Sequence, residues 1–414
     1  MKRITPLLVT LFALLLLPTY IASASSSFPS IPEAYAYGNY ATTITSTNKT
    51  IIGPTAPVGS DCKPTPTTLT NSTGISLGSL GGSGNVQTMI TISDTATSAT
   101  VVASSDVENL TILNGSIRSA RIHVAVSSTA TAAGATSSNN TTFSGLSIAG
   151  QSISDTPAPN TRKELPGLGF VILNEQIGPV NGPDATSISV NAIDVHLTVG
   201  PFAGTNIVIG HANSSETRTA QPVVVNANAF GLYANGLAGP GSASYGPVSP
   251  VRIACTGGSD QNSTNGFTSP VLGKSGTVNS SAFGKITSSG ATATGQSTIS
   301  NLKLLSFLIS ADKVTVVANA DWNGIEGFRS GSTTLLNGKA GGKVLPSSPL
   351  PNQRIDLPGI GFVIVNEQFG SSNSSGAVEN VIAFDIHVTQ SNSAGLPINA
   401  RIIVGSASAS AFSY

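Results

Sequence analysis

The amino-acid sequence contains an internal repeat, which limits the available folds more than any other feature. Residues 165–176, LPGLGFVILNEQ, recur 192 positions later as residues 357–368, LPGIGFVIVNEQ. Four further pairs recur in the same order at offsets of 191 to 193 residues: 37–38 with 230–231, Cys62 with Cys255, 109–122 with 301–314, and 194–196 with 385–387. The sequence is therefore two copies of one unit of about 190 residues, which is an ordinary size for a domain.

Both copies show the two-residue period of a strand with one buried face around the repeated Asp-x-His segment. Apolar and polar side chains alternate in residues 187–199, and the second copy repeats the pattern. We expect these side chains to point inward: Ile193, Val195, Leu197, Val199, Ile382, Phe384, Ile386 and Val388. We expect these to point outward: Asp194, His196, Thr198, Asp385, His387 and Thr389.

The remaining pattern indicates an all-β protein. Short apolar runs are separated by turns rich in Gly, Asn and Ser, and no window after residue 24 shows a sustained helical period. Gly, Ser, Thr, Asn and Val are abundant, which is typical of strands and turns. We predict two tandem homologous β-sandwich-like domains. The alternative is a pair of β-helix-like units, because Gly-rich strands can also stack as coils.

The first 24 residues have the features of a signal peptide. Lys2 and Arg3 precede the apolar run 7–17, and Ala22-Ser23-Ala24 provides a cleavage site. We therefore expect an N-terminal tail at 25–33, a first domain at 34–221 and a second at 226–414. No later stretch approaches the roughly 20 apolar residues of a membrane span. The protein is expected to be extracellular or on the cell surface, with no membrane span once the leader is removed.

Charge is scarce in this chain. Lys and Arg number 19, Asp and Glu also 19, and charged residues make up 9%, against about 25% in ordinary soluble domains. Without clustered cations we expect no nucleic-acid partner. A weakly charged surface has little colloidal repulsion, which favours self-association or contact with other surface components.

The ionisable residues repeated in both copies are the candidate site residues: Glu175, Asp194, His196, Glu367, Asp385 and His387. An Asp-x-His pair on one strand face can orient an imidazole for base catalysis or begin a metal site. The alternative is a polar outer face. His123 and His211 become Thr315 and Ser406 in the second copy, so each unit has too few repeated ligands for zinc. We expect no catalytic residue, metal or cofactor.

Cys62 and Cys255 are the two cysteines of the chain, one in each copy. Export favours pairing, and one cysteine per unit excludes a disulfide within a unit. Three arrangements stay open: a bridge between the units, bridges between chains, or two free thiols. A bridge between equivalent positions requires the units to be related by a near two-fold axis.

Aromatic residues that could form a sugar-binding platform are few. The chain has a single Trp, Trp322, which has no aromatic counterpart in the first copy. Tyr35, Tyr37 and Tyr40 follow the leader closely, and we favour their packing within the first strand over an exposed adhesive arm.

The chain resembles the choice-of-anchor P family in these segments: the Tyr-Gly or Phe-Gly start of each unit, residues 301–312, the Asn-Glu-Gln blocks, residues 190–197 and residues 207–210. The resemblance covers nearly all of both units. It implies exported bacterial surface proteins whose anchoring device varies, with no established enzymatic activity. Family members often carry a Cys near the C-terminal strand, whereas each copy here has one near its start, so a family disulfide pattern does not transfer.

These observations predict a secreted or cell-surface structural or adhesive protein that self-associates into an envelope layer, matrix or fibre. The alternative is a carbohydrate-binding module or a glycan-active enzyme that uses Glu175 with Asp194 and Glu367 with Asp385. Glycans are the partners that this alternative implies.

Overall fold

A computed structural model describes residues 30–44, 49–52, 54–60, 62, 67–77, 80–219, 223–235, 245–269 and 271–413. The expected signal peptide, residues 25–29 of the expected tail and the junction at 220–222 lie outside the described residues. Ser30 to Glu33, which we assigned to the tail, belong to the first strand.

The prediction of an all-β protein is confirmed. The described residues contain no α-helix, and every strand pairing among them is antiparallel. The β-helix-like alternative is wrong, because antiparallel neighbours form layered sheets instead of a coil of parallel strands.

The first unit contains β1 (Ser30–Ile44), β2 (Lys49–Ile52), β3 (Val58–Gly59), β4 (Thr67–Ser76), β5 (Gly81–Asp94), β6 (Ser98–Ile112), β7 (Ile117–Thr131), β8 (Gly134–Ser144), β9 (Ser147–Ile148), β10 (Gln151–Ser152), β11 (Thr161–Leu165), β12 (Gly169–Asn181), β13 (Ala185–Leu197) and β14 (Asn206–Arg218). Sheet A has the order β11-β12-β13-β14-β1-β2, with β3 also on β1. Sheet B has the order β10-β9-β7-β6-β5-β4, with β8 also on β7.

The second unit contains β15 (Val223–Asn235), β16 (Val251–Arg252), β17 (Gly258–Thr264), β18 (Thr268–Ser269), β19 (Gly273–Lys274), β20 (Val278–Thr287), β21 (Gly290–Leu304), β22 (Ile309–Trp322), β23 (Gly327–Leu336), β24 (Lys339–Ala340), β25 (Lys343–Val344), β26 (Gln353–Leu357), β27 (Gly361–Asn373), β28 (Gly376–Val388) and β29 (Arg401–Ser413). Sheet C has the order β16-β15-β29-β28-β27-β26. Sheet D follows β17-β20-β21-β22-β24-β25, with β18, β19 and β23 attached beside it.

Each unit buries an apolar core between its two sheets. In the first unit, Val190 and Val195 of sheet A join Ile90 and Ile122 of sheet B in one cluster. Sheets C and D enclose the matching cluster of the second unit. We call the opposite faces of sheets A and C, which point away from these cores, their outer faces.

The repeated LPGxG segment is a hairpin turn in both units. Leu168 N donates to Leu165 O at 2.9 Å, and Gly167 has φ of +72°. Pro at the second turn position and a left-handed Gly at the third are the signature of a type II turn. Residues 357–361 repeat it with φ of +73° at Gly359. The repeated LPGxG segment is therefore a chain reversal, which joins β11 to β12 in the first unit and β26 to β27 in the second.

The alternation of β13 and β28 changes phase halfway along each strand. Ala192 and Ile193 are neighbours in sequence, yet both lie in the core of the first unit. Left-handed residues occur opposite Ala192 on both adjacent strands, Asn174 on β12 and Gly210 on β14. Asn366 and Gly405 repeat the arrangement around Ala383. A local backbone distortion across three strands therefore resets which face each side chain occupies.

Two residues of the predicted inward set lie outside the core. Val199 lies beyond the end of β13 and is 54% exposed, so its inward prediction is wrong. Ile382 is buried but lies outside the core cluster, and its equivalent Asn191 bonds to Glu175 on the outer face. Asp194 and Asp385 occupy the outer faces as expected, although both are buried.

Candidate functional site

The repeated Asp-x-His residues contact one another in both units. Asp194 Oδ2 lies 3.0 Å from His196 Nε2, and Asp385 Oδ2 lies 2.8 Å from His387 Nε2. Within each pair, the aspartate and the histidine lie on the same face of the sheet, because residues two apart on a strand share a face. Each histidine side chain is about one-third exposed, while each aspartate is almost fully buried.

Each histidine is also held by an aromatic ring on the neighbouring strand. Phe170 stacks on His196 with ring centroids 4.7 Å apart, and the Arg162 guanidinium lies 3.5 Å from the centre of the Phe170 ring. The second unit repeats both contacts: Phe362 on His387 at 4.6 Å and Arg354 over Phe362 at 3.8 Å. The repeated imidazole is thus oriented by a stack that crosses three strands.

The repeated glutamates approach the buried aspartates. Burial raises the pKa of Asp194 to about 6, and the nearby Glu175 carboxyl adds to the rise while His196 opposes it. Burial and the nearby Asp385 carboxyl raise the pKa of Glu367. In each unit, therefore, one carboxyl of the pair favours the protonated form of the other.

The two units differ at the residue opposite the histidine. Arg401 of β29 faces His387, and it donates from Nε to Asp385 Oδ1 at 2.8 Å and from Nη2 to Asp385 Oδ2 at 2.9 Å. Asn206 is its counterpart on β14. The second unit therefore compensates its buried aspartate with a guanidinium, whereas the first has an amide at this position.

The structure joins Cys62 to Cys255 by a disulfide, with Cα atoms 5.6 Å apart. Of the three arrangements that the sequence left open, this is the bridge between units. Both cysteines are fully buried with Ile31 and Val224 in a small apolar cluster. The bridge thus lies inside the contact between the first strands of the two units.

Beside this contact, a cleft of about 910 Å³ separates the outer faces of sheets A and C. Sheet A contributes Tyr35, Tyr37 and Tyr40 of β1 and His211 of β14. Sheet C contributes Asn226, Asn228 and Phe230 of β15 and Ser408 and Ser410 of β29. The tyrosines lie in the first strand, as expected, but their rings line the cleft instead of the core.

Polar contacts extend from the cleft to the carboxyl pair of the first unit. His211 Nδ1 lies 2.7 Å from Asn191 Oδ1, and Asn191 Nδ2 donates to Glu175 Oε2 at 2.7 Å. Because the Asn191 amide oxygen accepts, His211 carries its proton on Nδ1. Burial lowers the pKa of His211 to about 4. Its ring is therefore neutral near pH 7 and stacks on Tyr37 with centroids 4.4 Å apart.

Sequence reasoning missed His211 as a functional candidate because Ser406 replaces it in the second copy. The requirement that a site residue be repeated in both copies applies only to a site built within each unit. The cleft is built between units, so its two walls can carry different residues at equivalent positions. The close spacing of the tyrosines was the available signal for one wall. Only the pairing of the units brings Arg252 and the polar residues of sheet C opposite that wall.

Comparison with solved structures gives weak likenesses. Among them are the crystal structure of the P. putida toluene transporter TodX and a structure titled TodX monoaromatic hydrocarbon channel deltaS2 mutant. Each is 8% identical with a TM-score of 0.15, over 94% of this chain and 90% of the other. A TM-score this low carries no argument about fold or function. No model of a known protein family and no curated protein matches the chain.

The described residues contain no group of three or more His, Cys, Asp or Glu side chains arranged to hold a metal ion. Within the same part of the chain, no helix is long and apolar enough to cross a membrane.

Proposed function

We propose that this chain is an exported surface protein with a structural or adhesive role, which acts by binding and not by catalysis. The disulfide between Cys62 and Cys255 is the observation that carries this proposal. Disulfides form and persist mainly in oxidising compartments outside the cytosol. The signal-peptide features of residues 1–24 and the resemblance to the choice-of-anchor P family support the same compartment.

The bonding of the repeated residues supports binding over catalysis. Arg401 and His387 engage both carboxylate oxygens of Asp385. A buried charge that is paired in this way stabilises the arrangement of its strands, and removing one partner is costly. Asp385 and its two partners thus have a structural role on the outer face of sheet C.

Assembly of copies is the form of structural role that we favour. β4 and β17 end sheets B and D, and each pairs with one neighbour among the described strands. The unpaired main-chain groups of such an edge can accept a strand from another chain. With few charges to repel a second copy, edge pairing would build a fibre or a sheet.

Export is tested by expressing residues 1–414 and 25–414 in a bacterial host and fractionating the cells. The longer chain is expected outside the cytoplasm with its cysteines oxidised, and the shorter chain inside the cell. Retention of both chains in the cytoplasm would contradict the proposal.

Assembly is tested by electron microscopy of the purified mature protein, which is expected to show fibres or sheets. The variant Thr70→Lys with Gln261→Lys places a charge on β4 and on β17, where both side chains are exposed, and is expected to disperse the assemblies. Dispersed wild-type particles at every concentration would refute assembly.

A further inference from the structure

The cleft between the units has the size and the position of a ligand site. Its volume is about 910 Å³, and both units line it. Ligand sites in proteins usually measure about 300–1,000 Å³ and often form where two domains meet. Their walls combine aromatic surface with a few fixed polar groups, and each of these components is present in the cleft.

The aromatic wall is held in place before any ligand arrives. Tyr37 lies between its neighbours, with ring centroids 5.7 Å from Tyr35 and 6.2 Å from Tyr40. Its ring also stacks on His211. All three tyrosines are half-buried, so each ring keeps part of its surface open to the cleft. Because the rings are fixed, a ligand that packs on them loses little side-chain entropy.

The polar wall offers both donors and acceptors. Asn226 is opposite Ser410 and Asn228 opposite Ser408 in the pairing of β15 with β29. Among the described residues, the side chains of Asn228, Ser408 and Ser410 have no hydrogen-bond partner. Asn226 Oδ1 is buried and also has none. The side chains of Asn228, Ser408 and Ser410 are half-buried, so a ligand in the cleft can bond to their amide and hydroxyl groups.

Two of the charged groups that line the cleft, Arg252 and Glu33, bond across the junction of the units. Arg252 donates from Nη2 to Ser60 O at 2.8 Å, and its backbone N–H donates to Asp260 Oδ2 at 3.0 Å. Glu33 accepts from Cys255 N at 3.3 Å. Burial raises the pKa of Tyr35 to about 12, so its phenol stays neutral. Arg252 is outnumbered by Glu33 and Asp260 among the described lining residues, which disfavours an anionic ligand.

We propose that this cleft binds an uncharged oligosaccharide, whose sugar rings pack on the tyrosines of β1 and whose hydroxyls bond to the amides and hydroxyls of sheet C. A sugar ring has an apolar face of C–H groups and an edge of hydroxyls, so it matches both walls at once. A purely apolar ligand would leave the amides unpaired, and a phosphate would face two carboxylates. This inference rests on the proposed function, because it names the ligand class of an adhesive protein.

The test measures binding to the mature protein, residues 25–414, with its disulfide intact. The probes for calorimetry are maltohexaose, cellohexaose and chitohexaose, compared with a sulfated heparin hexasaccharide and a proline-rich peptide. At least one neutral hexasaccharide is expected to bind. Tyr40→Ala removes part of the aromatic wall and should weaken this binding about tenfold.

A matched control comes from the repeat. Tyr233 is the equivalent of Tyr40 in the second unit and does not line the cleft, so Tyr233→Ala should leave sugar binding unchanged. Ser408→Trp fills the cleft from the opposite wall and should abolish binding. Near-ultraviolet circular dichroism and thermal unfolding show whether each variant keeps its fold.

The proposal is overturned if none of the three neutral hexasaccharides binds, or if the peptide or the sulfated sugar binds in their place. It is also overturned if a folded Tyr40→Ala or Ser408→Trp protein binds sugar like the wild type. Export and assembly are measured separately. Loss of the sugar result with export and assembly intact would therefore refute the cleft assignment alone.

Discussion

Gly59 and Arg252 occupy equivalent positions of the two repeats and contact each other across the junction of the units. A Cβ on Gly59 would lie 2.5 Å from Arg252 Nη1. Cys62 and Cys255 are a second equivalent pair in contact. Equivalent points meet only near a rotation axis, so these two contacts place the axis that relates the units at the junction. The first repeat has glycine at this position, which leaves room for the arginine of the second.

Gly59→Val should displace the Arg252 side chain. The substitution inserts carbon atoms where the guanidinium packs, so the hydrogen bond to Ser60 O and the position over the Tyr35 ring are lost. We expect the free energy of unfolding to fall by about 1–3 kcal/mol, as for other overpacked sites. Denaturant unfolding measures this loss. In an Arg252→Ala background the same change should cost much less, and additive losses would refute the contact.

The disulfide makes a prediction about mass and stability. Without reduction, the mature protein should be lighter by two hydrogen atoms and should resist alkylation by iodoacetamide. The variant Cys62→Ser with Cys255→Ser should keep its β-rich circular dichroism spectrum. Its free energy of unfolding should fall by about 2–5 kcal/mol, because the bridge closes a long loop. Alkylation of the unreduced, folded protein would show that the bridge is absent.

The arginine that pairs with the buried aspartate can be removed from the second unit and introduced into the first. Arg401→Asn should cost about 3 kcal/mol of unfolding free energy, because Asp385 is 1% exposed and loses two charged hydrogen bonds.

Asn206→Arg should lower the pKa of Asp194 from about 6, because a guanidinium stabilises the ionised form. Carboxyl NMR titration measures the pKa. Asn206→Gln is the uncharged control, and an Asp194 pKa unchanged by arginine would contradict the prediction.

Glu216 should make the protein less stable as pH rises from about 6.5 to 8. Burial raises the pKa of Glu216 to about 8, and the nearby Asp94 adds to the rise. Between pH 6.5 and 8 the Glu216 carboxyl is ionised in the unfolded chain and mostly protonated in the folded chain. Unfolding therefore releases a proton, so stability falls by up to about 1.4 kcal/mol per pH unit as pH rises. Asp194 and His211 titrate mainly below this range.

Glu216→Gln should remove this slope, because the amide stays neutral in both states. Glu164→Gln alters an exposed carboxylate of the same unit and should retain it. Denaturant unfolding at several pH values gives the slopes. Equal slopes for wild type and Glu216→Gln would rule out the buried carboxyl as their source.

The sequence alone determined the fold class, the duplication and most of each strand face. These features are local, because side-chain period follows from the strand backbone and the LPGxG turn needs only its own Pro and Gly. The prediction worked for Ile193, Val195 and Leu197, which all lie in the core. It failed for Ile382, because left-handed residues on the neighbouring strands place the change of phase beside it, and for Val199, because β13 ends at Leu197.

Only the tertiary structure decided how the two copies meet. A repeat fixes which residues are equivalent, but the rotation that relates the copies depends on side chains hundreds of positions apart. That rotation brings Cys62 to Cys255, and it opens the cleft between Tyr37 on one wall and Asn228 on the other. The cleft belongs to neither unit alone, because its walls become neighbours only once both units have folded and paired.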